Sequence, residues 1–104
     1  GNFSVSLVVY EGDPLPGENW VTCNIYSRTG EERQVTFVLA AYQNDRLTTI
    51  DIQPFTITAE DPMGEANTAA AMVELESADQ DTKLKAFLFD DWNNLVPVPV
   101  SLEV

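Results

Sequence analysis

Residues 83 to 104 read KLKAFLFDDWNNLVPVPVSLEV, and few folds accommodate that order of residues. Strand alternation through Lys83–Phe89 sends Leu84, Ala86 and Leu88 to one side, and Lys83, Lys85, Phe87 and Phe89 to the other. Asp90, Asp91, Asn93 and Asn94 are residues that close turns through their own side chains. The valine-rich segment that follows places Val96, Val98, Val100, Leu102 and Val104 on a single face. Its two prolines, Pro97 and Pro99, stand two residues apart. Backbone N–H directions alternate along a strand as side chains do, so both missing donors fall on one hydrogen-bonding side, which must then be a sheet edge. The pattern predicts a hairpin whose second strand closes a sheet.

The rest of the chain carries the same two-residue period. Phe3–Tyr10 is apolar and β-branched, and the segment EGDPLPGEN after it holds two prolines and two glycines, a long turn. Trp20–Ser27 alternates Val21, Cys23 and Ile25 against Thr22, Asn24 and Tyr26. In Gln34–Gln43 the residues Val35, Phe37, Leu39 and Ala41 point one way, while the opposite face, with Val38, Ala40 and Tyr42, is also partly apolar. A strand apolar on both faces belongs in the middle of a sheet.

Asn44-Asp45 then sits where a two-residue hairpin turn needs positive φ twice, which Asn and Asp tolerate better than most residues. Leu47–Ile52 reads as the return strand and Phe55–Thr58 as a separate short strand beyond Pro54. Residues 59 to 64 form a loop. Residues 68 to 75 alternate as a strand, with Ala69, Ala71, Val73 and Leu75 on one face; a helix over 65–76 competes, because Ala, Met, Glu and Leu are good helix formers.

Short segments recurring every 8 to 12 residues or so with turn signals between them predict an all-β sandwich of about seven to eight antiparallel strands. Its closing residues Lys85, Ala86, Phe87, Leu88, Asp90, Leu95 and Pro97, with Phe89 where a Trp is usual, resemble the last hairpin of immunoglobulin/fibronectin-like β-sandwich modules of large bacterial secreted and cell-surface proteins. The resemblance covers the segments from Trp20 onward and is most specific over residues 83 to 97. It implies an immunoglobulin-like accessory domain that spaces or docks other domains, within a larger exported protein. Residues 1 to 104 form one domain, large enough to bury roughly 60 to 70% of its unfolded surface without metals or disulfides.

Seventeen acidic residues against five basic ones give a net charge of −12, which repels nucleic acid phosphates and anionic lipid. No apolar run is long enough to span a bilayer as a helix. The chain has no histidine, so imidazole bases, His-ligated metals and Ser-His-Asp relays are closed to it, and its one cysteine, Cys23, falls on the apolar face of a predicted strand. The composition therefore points away from catalysis and calls for no cofactor.

Two candidate sites remain. Asp90, Asp91, Asn93 and Asn94, with Asp79 and Asp81 in the preceding loop, offer hard oxygen donors suited to calcium, although Asx-rich turns arise more often simply from turn closure. Phe87 and Phe89, with Trp92 at their end and Tyr42 and Tyr26 as extensions, form a candidate contact surface, unless a bulge turns the rings inward. The expected partner of that surface is a neighbouring domain or another surface protein. A carbohydrate-binding module is the alternative, with Trp20 and Trp92 as its strongest stacking residues.

Overall fold

The computed structural model describes residues 3–9, 13–27, 32–57, 67–91 and 96–103, and side chains over 13–25, 32, 34–57 and 67–89. The described residues form seven strands: β1 (Phe3–Val9), β2 (Gly17–Ser27), β3 (Arg33–Gln43), β4 (Arg46–Ile57), β5 (Asn67–Leu75), β6 (Thr82–Asp91) and β7 (Val96–Glu103). They form two antiparallel sheets, one of order β1-β2-β5 and one of order β4-β3-β6-β7. No helix occurs among the described residues.

The two-residue period explains the core. Val21, Cys23 and Ile25 of β2 and Ala69, Ala71, Val73 and Leu75 of β5 line the inner face of the three-stranded sheet. They meet Val35, Phe37, Leu39 and Ala41 of β3 and Leu84, Ala86 and Leu88 of β6. Ile57 closes the end of β4 against this cluster. β5 shows why burial outweighs helix propensity here: each second residue is buried, a spacing that no helix offers. Within the region 65–76 the described strand is Asn67–Leu75.

Two local devices set which residues face which side. At the β3–β4 turn Asn44 has φ 51° and Asp45 φ 64°, the paired left-handed conformation expected of a two-residue hairpin. Four residues on, the ladder slips. Tyr42 pairs with Leu47 but Ala41 pairs with Thr49, which leaves Thr48 as a bulge whose hydroxyl donates to the Ala41 carbonyl at 3.2 Å.

One expectation is corrected. Pro54 does not separate two strands; β4 runs unbroken from Arg46 to Ile57, with Pro54 opposite Thr36. Among the described strands β4 is an edge with β3 as its sheet neighbour, and on an edge a missing N–H that faces away from the ladder breaks nothing. β7, with its two prolines, is the other edge of that sheet. Its alternation is less simple than the sequence implies, because the ladder shifts between Phe87 and Phe89 and again between Phe89 and Asp91, so Phe89 pairs with Pro97 and Phe87 with Ser101.

Candidate functional site

The outer face of the four-stranded sheet is where chemistry gathers. On β3 the outward positions are Thr36, Val38, Ala40 and Tyr42. Their register partners on β4 are Pro54, Ile52, Ile50 and Leu47, and on β6 they are Phe89, Phe87, Lys85 and Lys83. Leu47 and Ile50 are three residues apart and would lie on opposite faces of a regular strand; the Thr48 bulge puts both outside. The result is a shallow apolar groove of about 260 Å³ across β4, β3 and β6.

Its floor is buried and its rim is open. Val38 and Ala40 are buried to 3% and 2% exposure although they face away from the main core, because larger side chains flank them. Ile50 and Leu47 keep 45% and 54% of their surface exposed, while Phe87 and Phe89 are half-buried. Alternation of large and small residues makes the relief: Ala40 has no bulk beyond Cβ, and Tyr42, Ile50 and Phe87 rise around it.

Charge on this face departs from the rest of the molecule. The twelve outward positions named above include no carboxylate, although the chain has seventeen. They do include Lys83 and Lys85, the two lysines of the chain. The Lys85 ammonium lies 5.0 Å from the centre of the Tyr42 ring, a cation–π contact that fixes both side chains at one end of the groove. Glu103 of β7 is the register partner of Lys85 on the other side of β6.

The opposite outer face, on the three-stranded sheet, is polar. Trp20 stands 56% exposed across from Met72, beside Glu18 and Glu74, with its Nε1 donating to Glu18 Oε1 at 3.4 Å. Thr68 donates to Asn24 Oδ1 at 2.9 Å farther along. Trp20 therefore stacks on a different sheet from Phe87 and Phe89, and these aromatics do not share a platform.

Phe87 and Phe89 are thus placed as the alternation requires, outward, with no bulge turning them into the main core. The groove's other wall was missed in the sequence. The partly apolar second face of Gln34–Gln43 signalled its floor, but nothing in residues 47 to 52 marks Thr48 as the residue that bulges.

Trp92, Asn93 and Asn94 lie outside the described residues, and Asp90 and Asp91 are described only as backbone at the end of β6. Asp79 and Asp81 are fully placed and work as a turn. Asp79 Oδ1 accepts from the Asp81 N–H at 2.8 Å, and its Oδ2 accepts from Gln43 Nε2 at 3.0 Å. The Thr82 hydroxyl accepts from the Asp79 N–H at 3.0 Å. Asn44 N–H donates to the Asp81 carbonyl at 3.2 Å, so this turn braces the β3–β4 hairpin. Among the described residues no cluster of three or more potential metal-ligating side chains occurs.

Cys23 is buried between β1 and β5, opposite Val8 and Ala69. Burial pushes its thiol pKa up to about 11, the reverse of what a nucleophile needs. No protein-family model matches this chain, and no curated protein matches it as a relative.

Proposed function

We propose that this chain is a non-catalytic, immunoglobulin/fibronectin-like accessory module of a bacterial exported or cell-surface protein, and that it docks a neighbouring protein domain through the outer face of its four-stranded sheet. The observation that carries the proposal is the apolar, carboxylate-free groove over Ala40, walled by Phe87 and Ile50, on an otherwise strongly acidic chain. An exposed apolar patch rimmed by polar residues marks interaction surfaces.

The strand order supports the module class. In immunoglobulin-type sandwiches the first, second and fifth main strands share a sheet, and the third, sixth and seventh form the other. Here β1, β2 and β5 stand together against β3, β6 and β7, with β4 joined to β3. The closing-hairpin resemblance, from Lys85 to Pro97, points to the same class and to its exported setting. The lack of histidine and the raised pKa of the buried thiol fit a non-catalytic role.

The experiment is to replace Phe87 with Ser and Phe89 with Thr and to measure docking to the domain that adjoins the module in its parent chain. Docking should weaken by about tenfold or more, as expected for loss of aromatic anchors, while the isolated module stays folded. Unfolding of the double variant would make the rings part of the core and end the proposal. Saturable polysaccharide binding abolished by the same changes would favour a carbohydrate-binding module instead.

A further inference from the structure

A second surface feature has the complementary shape and charge. Leu15 lies between Pro14 and Pro16 in the β1–β2 loop and is 63% exposed, the most exposed large hydrophobic residue among those described. It is held there. Asn19, buried to 3% exposure, donates from Nδ2 to the Leu15 carbonyl at 2.8 Å and to the Gly17 carbonyl at 3.0 Å, and its Oδ1 accepts from the Leu15 N–H at 3.0 Å. Gly17, at φ 96°, then turns the chain into β2, a conformation that L side chains rarely adopt.

Two prolines and a buried amide thus fix an apolar knob before any partner arrives, which removes most of the ordering cost that a flexible loop would bring to binding. Exposed carboxylates of Asp13 and Glu18 flank the knob.

We propose that the occupant of the groove is the Leu15 loop of a second copy of this chain, so that copies contact one another head to tail. This rests on the outer face being a docking surface and names what docks there. The loop brings leucine and proline bulk with carboxylates beside it; the groove brings an apolar hollow over Ala40 with Lys83 and Lys85 beside it. Two chains of charge −12 repel one another, and this pairing offsets part of that repulsion by setting carboxylates against the two lysines. Because knob and groove are different surfaces, the contact is heterologous and leaves one of each free on a pair, which permits longer assemblies or tandem arrays. One leucine and two lysines make a small interface, so the association is weak between free copies and strengthened when copies are tethered.

The test is a dilution series of the isotope-labelled chain by NMR, from millimolar to tens of micromolar. Concentration-dependent shifts should appear together at the amides of the Leu15 loop and of Lys83–Phe87. Leu15→Glu and Phe87→Ser should each abolish them. A mixture of the two variants should restore a pair, because each keeps the half that the other lacks. A Lys83→Glu/Lys85→Glu chain, which leaves the apolar groove in place, should weaken association by about tenfold. Absence of any concentration dependence overturns the proposal, as does association that survives Leu15→Glu. If Phe87→Ser abolishes association and Leu15→Glu does not, the knob is wrong and the docking face stands.

Discussion

The two faces of the four-stranded sheet are built from the same strands and are both apolar, yet they do different work. The inner face presents Phe37, Leu39, Leu84 and Leu88 to a second sheet that seals them below 4% exposure. Among the described residues the outer face presents Val38, Ala40, Ile50 and Phe87 to no second layer, and its outer members stay half-exposed. A strand that needs only to cover a core has a polar outer side, as the three-stranded sheet shows with Thr22, Asn24 and Glu74. Apolar residues kept on the far side of β3, β4 and β6 cost solubility, and the proposed docking accounts for them.

The largest effect that distinguishes the faces is truncation of an aromatic on each. Phe37→Ala should lower unfolding free energy by about 3 to 5 kcal/mol, since the sealed core leaves a cavity. Phe87→Ala should cost about 1 kcal/mol, in line with half-burial of a ring. Denaturant unfolding of both variants measures the difference. Equal losses would mean that the outer face is closed as well.

A second measure of closure is the Cys23 thiol on the other sheet's inner face. Its pKa is raised from 9.0 to about 11 by burial, so the folded state holds the proton that the unfolded chain releases first. The associated stability is complete below about pH 9 and is lost as pH rises toward about 11, at up to about 1.4 kcal/mol per pH unit. Unfolding of wild type and Cys23→Ala across that range isolates the contribution. In native buffer the thiol should label no faster than the protein opens.

Asp51 tests the seam between the sheets. It lies opposite Leu39 on the inward side of β4, and its Oδ2 accepts from the Met72 N–H of β5 at 2.8 Å, while Gln53 Nε2 donates to its Oδ1 at 2.8 Å. One inward carboxylate thus occupies a backbone donor on the edge of the opposing sheet, and an inward charge on an edge strand also discourages strand addition. Asp51→Ala should cost about 1 to 2 kcal/mol. It should also raise aggregation on heating, visible by light scattering.

The smallest effect belongs to the turn that sets the register. Asp45 holds φ 64°, and Asp45→Gly should stabilise the hairpin by about 0.5 to 1 kcal/mol by making that conformation unstrained. A loss of stability would show that Asp45 has a role beyond the turn.

Much of this architecture was legible in residue order because period and turn chemistry are local. The alternation in Trp20–Ser27 and Gln34–Gln43, the Asn44-Asp45 turn and the outward placement of Phe87 and Phe89 follow from which way successive side chains point. β4 was not legible in the same way. Whether Pro54 ends a strand depends on which side of the ladder its missing donor faces, and that is known only once β4 is an edge. Whether Leu47 shares a face with Ile50 depends on one unpaired residue, Thr48, that no composition marks. The groove needs β4, β3 and β6 side by side, and Leu15 becomes a knob only because Asn19, four residues on, is buried beneath it. By itself the sequence determined an acidic, histidine-free all-β chain with two apolar faces on its central strand. Tertiary structure decided which face was sealed and which was left open, because a strand's pattern tells where its side chains point and not what will stand opposite them.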